Sequence, residues 1–172
     1  MEEIATIGTP NFFNSYKLSD GSLANIQIID TSGQERFRSI NESYYKKADC
    51  CLLVYDITQK KTFDECKYYS KEIKERCKKN VKVILLGNKT DLEDKRVIPP
   101  EMGARLALEN RYIFMETSCF KNNNVADAFQ TLIEITNREY RINNPIRRVS
   151  SRIVIDKKDH KKKDDKGKKK AC

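Results

Sequence analysis

Glycine is scarce in this sequence: six in 172 residues, at positions 8, 21, 33, 87, 103 and 167. None of them opens a GxxxxGK[ST] segment, the loop whose backbone N–H groups cradle nucleotide phosphates. No apolar run approaches the roughly eighteen residues of a membrane-spanning helix, and no signal peptide opens the sequence. The six cysteines form no CxxC pair and no metal-ligand spacing. Five of them (Cys50, Cys51, Cys66, Cys77 and Cys119) lie in apolar or helical patterns and are expected to be reduced core thiols of a cytosolic protein. Cys172, the last residue, calls for another explanation. The single histidine, His160, stands among lysines near the end and is expected to be solvated.

What is abundant is positive charge, unevenly spread. The formal net charge is +9, and residues 143–172 hold twelve Lys/Arg against four Asp/Glu, leaving 1–142 near neutrality at +1. The basic character therefore belongs to an appendage and not to a nucleic-acid-reading face of the domain. The appendage has no aromatic residue on which a base could stack, so no nucleic-acid partner is expected. Asn143-Asn144-Pro145 stops the preceding helical pattern, and Asp156 to Lys170 is lysine-rich without an apolar period, so a disordered tail is expected there. The division is a domain over 1–142, long enough to bury a core, and a basic tail over 143–172.

Within the domain, Phe12 to Leu18 and Leu23 to Ile29 flank Ser19-Asp20-Gly21, a strong hairpin signal. Cys50 to Tyr55 is a continuous apolar run ending at Asp56, as in a parallel strand buried on both faces. Thr62 with Glu65 reads as a capping box opening a helix whose apolar face is Phe63, Cys66, Tyr69, Ile73 and Cys77. Val81 to Leu86 is a second buried strand running into Gly87-Asn88-Lys89-Thr90-Asp91. Pro99-Pro100 starts a helix to about Asn110, with Ala104, Leu106, Ala107 and Leu108 available for packing. Tyr112 to Met115 is a last short strand. Asn124 is expected to cap a final helix carrying Val125, Phe129, Leu132, Ile133 and Thr136 on one face.

Three motifs punctuate these elements in order: Asp30-Thr31-Ser32-Gly33-Gln34-Glu35-Arg36-Phe37 (DTSGQERF), Asn88-Lys89-Thr90-Asp91 (NKTD) and Glu116-Thr117-Ser118. Together they closely resemble Ras-type small GTPases, most of all the Rab branch, from Thr6 to about Tyr140. The resemblance implies that Asp30 holds Mg²⁺ through water, that the Gly33 N–H approaches the terminal phosphate, and that Gln34 orients the attacking water. Thr6, in Thr6-Ile7-Gly8, matches the switch threonine whose hydroxyl joins the Mg²⁺ shell. Phe12 is the match for a phenylalanine that effectors touch, although this sequence is one residue longer there; the plain alternative is that Phe12 and Phe13 start an edge strand. Tyr44-Tyr45 resembles the paired tyrosines of the second switch, which face effectors or simply pack.

NKTD is the family's guanine-reading motif. A carboxylate such as Asp91 accepts from both N1–H and the 2-amino group of guanine, which adenine lacks, and sites built this way reject the missing group by roughly 10⁴-fold. In the family Asn88 bridges neighbouring loops and the Lys89 stem lies over the base. The usual ETSAK is here Glu116-Thr117-Ser118-Cys119-Phe120, so the nucleotide-binding set is Thr6, Asp30, Gly33, Asn88, Lys89, Asp91, Ser118 and Cys119, with Phe120 in place of the supporting lysine.

The resemblance implies a P-loop NTPase-like α/β fold, a doubly wound sheet with nucleotide at the carboxyl ends of its strands. It implies a switch that binds GTP or GDP with Mg²⁺, hydrolyses GTP slowly, and meets activating, exchange-factor and effector proteins. A lipidated Cys172 beside the polybasic tail would place it on the cytosolic face of endomembranes, in vesicular traffic. The family's first strand, phosphate loop and first helix lie upstream of the match to Thr6, so the sequence reads as truncated at its N-terminus, with Met1 a misassigned or alternative start. The alternative reading is a nucleotide-incompetent Rab-like module that binds membranes or partners.

Overall fold

A computed structural model of the chain describes residues 11–31 and 44–143. Thr6, Gly33, Gln34 and Cys172 lie outside the described residues, as does the lysine-rich tail.

The centre is a three-stranded parallel sheet in the order β3-β4-β5, formed by β3 (Cys50–Asp56), β4 (Lys82–Asn88) and β5 (Ile113–Glu116). β4 is the middle strand, and its residues from Val83 to Leu86 are buried on both faces, which is why its sequence is apolar without alternation. Helices α1 (Lys60–Arg76) and α2 (Pro100–Asn110) share one core with the sheet, built on Leu53, Tyr55, Phe63, Ile73, Leu85 and Leu106. Helix α3 (Val125–Asn143) covers the opposite face, packing Ala128 and Leu132 on Ile84 and Leu86. Helices on both faces of a parallel sheet make the doubly wound arrangement expected from the sequence.

β1 (Asn11–Lys17) and β2 (Leu23–Ile29) form a separate antiparallel hairpin with Phe12 opposite Ile28. Gly21 takes φ +83° in its turn, a left-handed conformation that glycine adopts without a Cβ clash, and the Asp20 carboxylate accepts from the Ser22 N–H and hydroxyl. The turn is tied to α3. Ser19 N–H donates to Glu134 at 2.6 Å, Gln130 Nε2 donates to the Lys17 carbonyl at 3.2 Å, and Arg141 pairs with Asp20 at 2.5 Å. Leu18 is buried beside these contacts. Among the described residues no strand joins the hairpin to the parallel sheet, and Val54 on β3 is 49 % exposed, an apolar side chain in a strand otherwise largely covered.

Several local expectations are corrected. Thr62 does not cap α1: the helix begins at Lys60 after Gln59, and the Thr62 hydroxyl donates back to the Gln59 carbonyl at 2.8 Å. Asn124 has φ 57°, and its side-chain amide donates to the Glu116 carbonyl at 3.0 Å instead of receiving helix N–H groups. On α2, Leu106 and Ala107 are buried, but Ala104 and Leu108 face solvent, because a helix offers the core only one stripe. Of the five thiols expected in the core, Cys119 is exposed.

Candidate functional site

The carboxyl ends of parallel strands are where a doubly wound sheet presents its loops to a ligand. Here β3 ends at Asp56, β4 at Asn88 and β5 at Glu116, and all three loops are knitted to one another. Thr117 N–H donates to the Gly87 carbonyl at 2.9 Å, while the Thr90 N–H and hydroxyl both donate to the Thr117 carbonyl, at 3.2 and 3.1 Å. The two motifs that stand 28 residues apart in sequence are thereby one surface.

Asn88 is the bridge expected of it. Its Oδ1 accepts from the Thr117 hydroxyl and from the Cys119 N–H, each at 3.3 Å. With the oxygen so occupied, the amide nitrogen remains as a donor for a ligand. Ser118, fully buried, donates its hydroxyl to Asp91 Oδ1 at 2.5 Å, and the same oxygen of Ser118 accepts the Lys121 N–H at 3.0 Å. One carboxylate oxygen of Asp91 is thus oriented by the protein, and Oδ2 has no protein partner among the described residues. A carboxylate held by one oxygen and open at the other can accept two adjacent N–H groups on the edge of a planar ring.

Lys89 departs from expectation. Its backbone takes φ 71°, a left-handed conformation costing about 1–2 kcal/mol for a residue with a Cβ. Its ammonium turns to Asp56, 2.9 Å from Oδ2. Asn122 and Asn124 also have positive φ, so three of the four such non-glycine residues among those described lie in these loops. Strain of this kind concentrates where a surrounding lattice dictates geometry.

Asp56 is the residue that sequence reasoning passed over. It is buried, and its carboxylate accepts from the Thr58 N–H at 2.8 Å, the Thr58 hydroxyl at 2.7 Å and Gln59 Nε2 at 3.2 Å, besides Lys89. Burial pushes its pKa up, but the Thr58 and Lys89 bonds outweigh burial and hold the carboxyl below the ordinary aspartate value. The available signal was a single acid closing an otherwise apolar strand at the ligand-facing end of the sheet.

Arg96 braces the rim. It donates to both oxygens of Glu93, to both of Glu116 (2.7 and 3.0 Å) and to the Ile98 carbonyl, fixing the Thr90–Lys95 turn against the end of β5. The substitutions in the ETSAK-like segment are both on the surface. Cys119 is exposed and its N–H donates to Asn88, and Phe120 is 86 % exposed.

Asp30 is exposed and follows directly on β2. It is the one expected Mg²⁺ ligand among the described residues, and no cluster of three His, Cys, Asp or Glu that would grip a metal occurs among them. A single carboxylate acting through water fits Mg²⁺, which keeps several of its waters. Thr6, Gly33 and Gln34 are outside the described residues, so their meeting with Asp30 is not part of this geometry.

Comparison with known proteins accords with these features. The family model described as Ras family matches residues 1–138. The chain is 45 % identical over 129 residues to Ras-related protein Rab-8A of Bos taurus and 43 % identical over 129 residues to Ras-related protein Rab-8B of Homo sapiens. Each alignment covers 75 % of this chain and 62 % of the relative. To Ras-related protein RABA4a of Arabidopsis thaliana it is 41 % identical over 133 residues, covering 77 % of this chain and 58 % of that protein. The chain therefore spans about three-fifths of the length of the relatives it matches.

Proposed function

This chain belongs to the Ras family, and from that membership we propose that it is a Rab-type switch that binds GDP and GTP and hydrolyses GTP. The observation that supports the reading most is the half-satisfied Asp91 carboxylate beside the free amide nitrogen of Asn88, on loops locked together by Thr90, Thr117 and Ser118. Asp91 takes the N1–H and 2-amino group of guanine, and Asn88 donates to an acceptor on the same base. Lys89 leaves part of its contact with Asp56 to lie along the base, with Asp56 holding the ammonium close. An adenine in this position offers the carboxylate no donor, which sets the preference for guanine.

Phosphoryl transfer falls to the residues carried over by resemblance. Mg²⁺, when bound, neutralises charge on the phosphate oxygens. Asp30 positions its water shell, Thr6 closes on the triphosphate state, the Gly33 N–H meets the terminal phosphate, and Gln34 orients water for attack. Activating proteins, exchange factors and effectors are the partners of such a switch. Lipidation at Cys172 with the basic tail over 143–172 would hold the 1–142 domain on the cytosolic face of endomembranes, in vesicular traffic.

The test is the nucleotide content of the purified chain, 1–172, released by denaturation and separated by chromatography. Close to one guanine nucleotide per chain is the expected result. A folded, soluble chain without nucleotide, and unable to take up GDP, would overturn the switch reading for this chain in favour of a module that binds partners through its surface.

A further inference from the structure

We propose a second binding site, for the phosphorylated headgroups of anionic membrane lipids, in a basic groove at the end of the sheet opposite Asn88 and Asp91. The groove measures about 710 Å³ and has an apolar floor that includes Val83 and Ile135. Six cationic side chains line it: Lys74, Lys78, Lys79, Lys82, Arg111 and Arg138. Glu139 is its one acidic lining residue among those described. Lys82 pairs with Glu139 at 3.0 Å and Lys78 with Asp49 at 2.5 Å. Lys74, Lys79, Arg111 and Arg138 are exposed and have no acidic partner among the described residues.

These charges come from parts of the chain that meet only in the fold: the last turn of α1, the loop after it, the residue following α2, and α3. A cation in the last turn of α1 also complements the helix dipole, and that accounts in part for Lys74. It does not account for Lys79, beyond α1, or for Arg111. Arg111 takes φ 60°, its N–H closing α2 on the Ala107 and Leu108 carbonyls. Glycine fills that position without strain, whereas a side chain there costs about 1–2 kcal/mol. The helix end is thus closed by a residue that brings a guanidinium to the groove instead of by the residue that closes it best.

The occupant follows from where the chain goes next. Lys82 opens β4 and Asn88 closes it, so at about 3.3 Å per residue the groove and the guanine site stand roughly 20 Å apart. The Lys82–Glu139 pair fixes the last turns of α3 at the groove end, and α3 finishes at Asn143. From there the chain continues through residues 144–172, with twelve Lys/Arg against four Asp/Glu. The segment that follows α3 is therefore net basic, as the groove is, and the last described residue before it lies on the helix that lines the groove. An extended anionic surface meets both, with headgroup phosphates entering the groove and the guanine site turned away from the bilayer. The inference rests on charge and placement, not on nucleotide binding or on lipid at Cys172.

The experiment uses the full chain, without lipid, sedimented with vesicles of phosphatidylcholine alone or mixed with phosphatidylserine or phosphatidylinositol bisphosphate. Binding to both anionic mixtures, weakened by salt, is expected. The variant K74A/K79A/R111A/R138A, its tail intact and its fold checked by thermal melt, should lose about fivefold in partitioning for each charge removed. K79A/R111A serves if the fourfold variant melts early, and R111K should retain binding. Undiminished binding by the groove variants would overturn the proposal and leave the tail as the whole attraction. Stronger capture of an oligonucleotide than of the vesicles, lost with the same residues, would overturn it in favour of nucleic acid.

Discussion

Tyr55 shows how a single buried atom constrains its neighbours. Its hydroxyl is buried without a hydrogen-bond partner among the described residues, and it fills the space that a Cβ at Gly103 would need, at 2.4 Å. Phe114 lies at the same distance from that Cβ. Tyr55→Phe removes the unsatisfied group and should raise stability by about 1 kcal/mol in urea melts. Gly103→Ala gains helix propensity of roughly 1 kcal/mol, yet it collides with two rings, and overpacking of about 1–3 kcal/mol outweighs the gain. A net loss in the same melts is the expected result. Asp56 makes the corresponding electrostatic prediction. Its native pKa is depressed, so its ionised form stabilises the fold above the ordinary aspartate value near 3.8, and that contribution disappears as pH falls through the native value. Asp56→Asn should be less stable than wild type at pH 7, and the difference should shrink toward pH 3. The same variant, freeing Lys89, should release bound GDP faster.

Elements differ in what holds them. The parallel sheet is buried between helices, while the hairpin depends on Leu18 and on the Glu134, Gln130 and Arg141 contacts from α3. Leu18→Ala, at about 2–4 kcal/mol, should raise amide hydrogen exchange across 11–29 while leaving 82–88 protected. Equal loss of protection in both would show that hairpin and sheet open as one unit. The element types were legible in the sequence, because the runs at 50–55 and 81–86 are apolar on both faces and Asp20-Gly21 marks the hairpin. The caps were not. Thr62 and Asn124 have side chains able to serve either as caps or as donors to nearby carbonyls, and the Gln59 and Glu116 carbonyls decide between these only after the chain has folded. Of the site, the Asn88, Asp91 and Ser118 constellation was legible from motifs in order. The Asp56–Lys89 pair was not, since it joins the ends of two neighbouring strands through residues 33 apart in sequence.

At the scale of the whole molecule, thiol chemistry reports on the site without touching it. Burial pushes the Cys51 and Cys66 thiols up to about 12 and raises Cys50 and Cys77 as well, so these are poor nucleophiles near neutrality. Cys119 is exposed at the rim of the site. Mass-spectrometric mapping after brief alkylation should find Cys119 modified first among the thiols of the domain, and GDP should slow that modification. No helix among the described residues is long and apolar enough to cross a membrane. The proposed guanine site and the proposed lipid groove occupy opposite ends of β4, so that the one would face a base while the other faced a bilayer. The most direct measurement of the central claim is a calorimetric titration of the full chain and of Asp91→Asn with GDP and with ADP. The account predicts that wild type binds GDP and rejects ADP by roughly 10⁴-fold, and that Asp91→Asn loses about a hundredfold or more toward GDP alone. Equal affinity for the two nucleotides, or GDP binding indifferent to Asp91→Asn, would contradict it.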